Sequence, residues 1–583
     1  MNHEVERMIS ELDVERVTKH IEWFTYETPS RISGKGQDRK AAEYITRELN
    51  NYGMDAGIYE FETYNSLPGE GFLSLIEPCQ ESISCKAAAH SGDTPDEGIN
   101  AELIYIGAGG ENDFCNKDVK GKILLAEVSY DPATPEKERL AWINGAAGLV
   151  LANWGSPGNN AICMQALKGV WGNPTPRTFS QIPELPSVSI SRASGDRLIE
   201  LCRRGEVIVK MSVSSPRSWM VLAQPYGMLQ SERSSQFLLV NGHLDAWEPG
   251  VTCNATGDAA MLELARVLAK HRKHLARGVY FIFWNGHEIA EAAGSTWYVD
   301  TFWPQLTENC PVYMNIDGPG IRGTSVLDIR VARELENWVK KFAAEELKEH
   351  ANISYPRKTA DHSIFGIGIP PLLSRHNFSK EDLQKIGGAF LGWWNHTTED
   401  DLDKYDPTVM AKDIRVQMAL IGTLAVESLL PFDFAPVVLD IKNKLSYLAK
   451  ESAKVSHIID LNPVLEKAYQ LEDLIKELNS KIQKGNSELI QTSNKVLMRL
   501  SRILTNAFYT GCDRYSQDSY DAEIFNKPIP ILFPIIQLAA KNPEERDFKL
   551  MMTEILRARN RLWDALDSAV YVLTDALRFL ANV

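Results

Sequence analysis

The chain has 583 residues, a formal net charge of −15, 44% apolar and 24% charged residues. This is a globular balance sized for three or four domains, and the acidic surplus argues against nucleic-acid or anionic-membrane partners, which select basic surfaces. The first residues, MNHEVERMISELDVERV, lack the apolar core of a signal peptide, and the eight cysteines occur singly with no CxxC pair; with no run of ~18 apolar residues to span a bilayer, the expectation is a cytoplasmic protein with reduced thiols.

Residues 1–65 read as two amphipathic helices and a strand. Glu4 to Phe24 has helical periodicity, Asp38 to Tyr52 forms a second helix that stops near Gly53, and IYEFETYN is the strand. From 66 to 215 the texture changes to short β-rich runs (AELIYIG, GKILLAEV, GAAGLVLANW, LPSVSIS, EVIVKMSVS) punctuated by Gly, Asn, Pro and Asp. That is a compact inserted domain with few clustered ligand residues, read as a lid or spacer.

From 216 to 435 strands and helices alternate. QFLLVNGH is a buried strand, DAAMLELARVLAKH a helix, RGVYFIFWNGHE a second buried strand, then a helix through AGSTWYVDTFW, then PVYMNIDGPG as a third strand. This is an α/β segment with a mostly parallel sheet, whose ligands gather at the carboxyl ends of the strands. From 436 to 583 the chain is helical, broken by the apolar IPILFPIIQLAA. Two readings of this appendage stand side by side: it packs on a partner subunit, or it covers the catalytic segment.

All three strands end in ligand-type residues. The first gives His243 and Asp245, the second His287 and Glu288, the third Asp317, and the loop GWWNHTTEDDLDKYDP adds His396. Imidazole, carboxylate and thiolate are the donors that Zn²⁺ takes. Taken singly, each residue has a bland alternative: a lone strand-end histidine is usually structural, and an Asp before Gly-Pro-Gly can simply shape a turn. Asp361 and His362 also look ligand-like, just before SIFGIGIPP. HEIAE misses the H-E-x-x-H zinc helix because position 291 is Glu, and neither a G-x-S-x-G elbow nor a phosphate-binding loop is present.

Taken together, VNGHLDAW, GVTCNATGDAAMLELARVL, FIFWNGHEIAEAAGSTWY, MNIDGPG and NHTTEDDLDKYDP resemble the co-catalytic zinc aminopeptidases and glutamate carboxypeptidases, the group that includes the transferrin receptor. The insertion at 66–215 is similar to a protease-associated domain, and 436–583 to the carboxypeptidase dimerisation domain. The resemblance implies a homodimer and two zinc ions, with His243 and Asp317 on one, Glu288 and His396 on the other, and Asp245 orienting His243.

Two positions depart from the family. Its bridging Asp falls on Cys253, and its general-base Glu falls on His287; the following IAEAAGS is also one residue longer than the common form. An imidazole, with an unperturbed pKa near ~6.5, can replace a Glu base, or it can bind metal. For Cys253 three readings stay open: a metal ligand, an activated nucleophile, or an inert thiol beside a single ion. An engineered Asp→Cys exchange would read the same way. The expected activity is metal-dependent hydrolysis of amide bonds in small peptides or N-acyl amino acids, with one or two Zn²⁺ or another divalent ion. The alternatives are a cyclase or lyase on the same scaffold, or a non-catalytic binding protein.

Overall fold

A computed structural model describes residues 1–129, 131–356, 363–387, 389–482, 487–516 and 527–582. Asp361 and His362 lie outside the described residues.

The first helical stretch is in fact two helices, His3–Ser10 and Val14–Glu27. Between them Asp13 is extended, and its Oδ1 accepts from the amides of Glu15 (3.0 Å) and Arg16 (3.3 Å). An aspartate in that conformation caps a new helix and does not continue the old one. Hydrophobic periodicity runs across the break and hides it.

The main sheet has eight strands in the order Asp55–Ser66, Arg217–Leu229, Gly278–Trp284, Phe237–His243, Tyr313–Asn315, Pro371–Asn377, Val326–Val331 and Ala351–Ser354. Its four central strands, from Gly278–Trp284 to Pro371–Asn377, are parallel, and antiparallel neighbours flank them. Every residue of Phe237–His243 and of Gly278–Trp284 is buried, as expected for strands covered on both faces. The helix Thr256–Lys270 lies against them and is itself buried almost throughout.

Register brings the strand ends together. Phe237–His243 pairs with Gly278–Trp284 residue for residue, ending at His243↔Trp284, and Asn241 pairs with Asn315. His243, the turn after Trp284 and the turn after Asn315 therefore emerge at one edge of the sheet.

The chain leaves this sheet at Ser66 and re-enters at Arg217, which are paired with each other. Between them lies a second eight-stranded sheet, running from Glu81–Ile83 at one edge to Cys85–Ala87 at the other. It has apolar cores of its own, one around Leu73, Val150 and Val209, another around Ile106, Leu124 and Leu149. The C-terminal helices Ala435–Glu451, Asn462–Ile482, Ser487–Tyr509 and Arg546–Asn582 follow, with the short helix Ile535–Ala540 inside the apolar stretch read as a break. Leu445, Leu471, Leu504 and Leu566 join the same continuous core as Leu239 and Phe281 of the main sheet. Among the described residues no helix is long and apolar enough to cross a membrane.

Candidate metal centre

The structure brings His243, Cys253, Glu288, Asp317 and His396 to one place. Their candidate donor atoms form two triads, His243–Cys253–Asp317 and Cys253–Glu288–His396, with the atoms of each within 4.8 Å of one another. Cys253 belongs to both. A third triad, His243–His287–Glu288, includes the remaining histidine.

The spacing suits a small cation. Ligands at ~2.0–2.3 Å on a tetrahedral ion stand about 3.3–3.8 Å apart. His243 Nε2 lies 3.8 Å from Cys253 Sγ and 3.6 Å from Asp317 Oδ1. On the other side, Glu288 Oε1 is 3.1 Å from Cys253 Sγ and Glu288 Oε2 is 3.1 Å from His396 Nε2, direct contacts shorter than that range, so these donors would part by a few tenths of an ångström around an ion. Asp317 Oδ1 is buried and makes no hydrogen bond within 3.5 Å among the described residues, its nearest polar neighbour being His243 Nε2 at 3.6 Å, and a cation between the two would satisfy both. The residues present fit a metal.

Each donor is held from behind. His243 ends its strand, and its Nδ1 meets the main-chain carbonyl of Asp245 at 2.8 Å, which leaves the Nε2 lone pair for the cavity. The Asp245 carboxylate accepts from Ser33 Oγ (2.7 Å) and from the amides of His287 (3.0 Å) and Glu288 (2.9 Å). It thus orders the His287–Glu288 turn, while its carbonyl meets His243. Trp247 Nε1 donates to Glu288 Oε2 at 3.2 Å. The His287 ring stacks on the His243 ring, with centroids 4.4 Å apart and planes 19° apart.

Three supporting residues went unread in the sequence. Asp400 Oδ1 accepts from the Thr252 amide (2.9 Å) and hydroxyl (2.7 Å), and its Oδ2 accepts from the Cys253 amide (3.1 Å), so the loop bearing His396 also fixes Cys253. Asn254 donates from Nδ2 to the carbonyls of His243 (3.3 Å) and Ile316 (3.1 Å) and accepts at Oδ1 from the amides of Gly257 (3.2 Å) and Gly318 (3.0 Å). That one side chain ties two strand ends to the helix between them. Arg31, fully buried, donates to the carbonyls of Leu244 (3.1 Å), Thr28 (3.1 Å) and Gly250 (2.8 Å) and so shapes the loop before Cys253. The acidic TTEDDLD run was the available signal for Asp400; nothing local marks Asn254 or Arg31.

The electrostatics are those of a site built for positive charge. Burial, then the charges of Glu288, Asp317 and Asp400, push the Cys253 thiol well above its ordinary range. Without a cation this setting favours the protonated thiol over the thiolate. Burial likewise raises Asp400 to about 6 and Asp258, behind the site, to about 8. Burial also opposes charge on Glu288, but His396, His243 and His287 outweigh it and hold that carboxyl well below the carboxylate range.

A cavity of about 450 Å³ lies between the inserted domain and the loop that carries His396, lined by Lys86, Asn159 and Ile162 on one side and by Trp393, Thr398 and Glu399 on the other. A larger one, about 570 Å³, lies around Gln230–Gln236 and Asn309 and is lined by no histidine or cysteine and by a single acid, Glu232. It offers no donor set for a metal ion.

Residues 226–421 match peptidase family M28, and residues 87–198 match the PA domain. Aminopeptidase YwaD of Bacillus subtilis (strain 168) is 25% identical over 384 residues, covering 64% of this chain and 76% of that protein. Carboxypeptidase Q of Xenopus laevis is 24% identical over 286 residues, covering 46% of this chain and 58% of its own length. The solved structure of BSAP, a zinc aminopeptidase from Bacillus subtilis, has a TM-score of 0.56 at 21% identity and covers 71% of this chain and 95% of that one. The family resemblance and the fold class expected from the sequence both hold: a mostly parallel α/β sheet interrupted by an insertion that matches the PA domain.

Proposed function

We propose, from the premise that residues 226–421 form a peptidase family M28 domain, that this protein is a metal-dependent hydrolase of amide bonds in small peptides or N-acyl amino acids. The observation that carries this reading is the position of Cys253 at the vertex shared by two donor triads. His243 and Asp317 complete one cation position; Glu288 and His396 complete the other. The N, O and S donors suit Zn²⁺. When bound, zinc supplies a water that ionises near neutral pH and a Lewis acid for the amide carbonyl.

The remaining work falls to the chain. The Asp245 carboxylate holds the amides of His287 and Glu288, whose side chains turn toward His243. The His287 imidazole, half-buried and stacked on His243, takes the proton of the attacking water and returns it to the leaving amine. Asp400 keeps the Cys253 backbone in place through its amide. The family match favours hydrolysis over the cyclase, lyase and binding-protein alternatives.

We take the domain limits as 1–65 and 216–435 for the catalytic part, 66–215 for the insertion and 436–583 for the helical part. The eight cysteines are all free, which supports a cytoplasmic location. The exposed Leu550, Tyr571 and Phe579 on the last helix support a homodimer through that domain.

The deciding experiment is metal content per chain of protein purified under reducing conditions, with turnover of a panel of dipeptides and N-acyl amino acids measured with and without chelator. Bound metal and chelator-sensitive cleavage are expected. Absence of both rules the reading out.

A further inference from the structure

Within the inserted domain, residues 163–172 reach the two loops that carry metal-centre residues. The amide of Met164 donates to the carbonyl of His396 at 2.8 Å, and Cys163 Sγ lies 3.6 Å from the carbonyl of Asn395. The amide of Gly172 donates to the carbonyl of Glu291 at 2.7 Å. Between these, Lys168 runs fully buried, and its Nζ donates to the carbonyls of Ala290 (2.8 Å) and Tyr64 (3.1 Å). The segment therefore grips two loops at once: the one carrying His287 and Glu288, and the one carrying His396.

Those loops need outside support. Glu291, Ala292 and His396 all have positive φ, at 47°, 60° and 59°. Non-glycine residues are uncommon there and stay only where surrounding contacts over-determine them. Contact is close enough that a Cβ on Gly172, itself at φ +64°, would fall 1.9 Å from Thr296 Oγ1, just past the turn. A buried ammonium is also a costly way to satisfy two carbonyls. Lys168 spans 122 residues of sequence to reach Ala290, and no apolar side chain could make that link.

We propose that Lys168 is a positioning residue that fixes the Glu288–Glu291 turn, so that the inserted domain completes the cation position formed by Glu288 and His396. This rests on the metal-centre reading above. The other position, His243 with Asp317, comes from strand ends to which, among the described residues, no hydrogen bond from Lys168 runs, so the two sites respond differently to its loss.

The test uses the full-length chain and compares Lys168→Met, which keeps the length and removes the donors, with Lys168→Gln, which keeps a neutral donor. Zinc stoichiometry and stepwise affinity are measured by competition with a chromogenic chelator, alongside the unfolding midpoint. In Lys168→Met one ion should bind as in wild type and the other at least tenfold more weakly, with kcat lowered and the midpoint of the metal-free protein lowered by the loss of the two hydrogen bonds to buried carbonyls. Lys168→Gln should fall between. Two ions bound at wild-type affinity in Lys168→Met overturn the proposal. So does equal weakening of both ions, or failure of both variants to fold, since either makes Lys168 a core residue only. A wild-type protein that binds no zinc instead removes the metal-centre reading itself.

Discussion

Cys253 Sγ lies 3.1 Å from Glu288 Oε1, while His243 Nε2 stands 3.8 Å from the same sulfur and the Asp317 carboxylate within 4.8 Å of it. That sulfur stands where the resemblance places a bridging carboxylate. It offers one atom to two cation positions, so it should bind both ions while setting their separation differently from a two-oxygen bridge.

Cobalt makes this visible. Cobalt(II)-loaded protein should show a near-ultraviolet thiolate-to-metal band that disappears in Cys253→Ser, with metal affinity reduced by at least about tenfold. Cys253→Asp should bind metal and lack the band. A wild-type spectrum without thiolate character, or a Cys253→Ser protein that keeps two ions at full affinity, removes the sulfur from the centre.

His287 can be a base or a ligand, and one variant separates the two. As a base, His287→Ala should keep its metal and lose about 10²–10⁴-fold in kcat, while His287→Glu should retain much of the rate with an altered pH profile. Metal loss in His287→Ala with kcat restored by excess zinc would assign the ring to coordination.

Asp245→Asn keeps the shape but turns one acceptor into a donor facing the amides of His287 or Glu288. An unsatisfied amide pair costs about 1–3 kcal/mol. The expected outcome is a lower unfolding midpoint together with metal affinity weakened by roughly 10–100-fold. Unchanged metal affinity would mean that the turn holds itself.

His20, away from the metal centre, gives a pH dependence with a definite sign. Burial, then Arg16, lowers its pKa to about 4, while Tyr44 Oη sits 2.6 Å from Nδ1. The unfolded chain, at the ordinary 6.5, therefore takes up a proton that the folded chain refuses between pH 6.5 and about 4. Stability is full above that window and falls through it by about 3 kcal/mol, as an order of magnitude. Urea midpoints in the presence of chelator should fall more steeply with acid in wild type than in His20→Gln. Parallel curves would contradict it.

Tyr571, 74% exposed on the last helix, tests the dimer. Sedimentation should give two chains per particle for the wild type and one for Tyr571→Glu combined with Leu550→Glu. A wild-type monomer would end the proposal.

Much of the site was legible in the sequence because its ligands end apolar strands. Phe237–His243 and Gly278–Trp284 are continuous buried runs, and the residue after such a run in an α/β segment sits at the ligand-binding edge. His243, His287, Glu288 and Asp317 could be read on that local basis. Helix ends were less legible: Asp13 starts a new helix through two hydrogen bonds that hydrophobic spacing does not report.

What the sequence alone determined is which residue types stand at the strand ends, including the unusual Cys253 and His287. What only the tertiary structure decided is how they are held. The Asp400 carboxylate reaches the Cys253 amide across 147 residues, Asn254 ties His243 to Ile316, and Lys168 reaches Ala290 across 122. These are hydrogen bonds to main-chain groups. Main-chain groups are the same at every position, so no side-chain pattern announces which of them will be met; only the register of the strands and the closure of the inserted domain bring those particular partners within hydrogen-bonding reach.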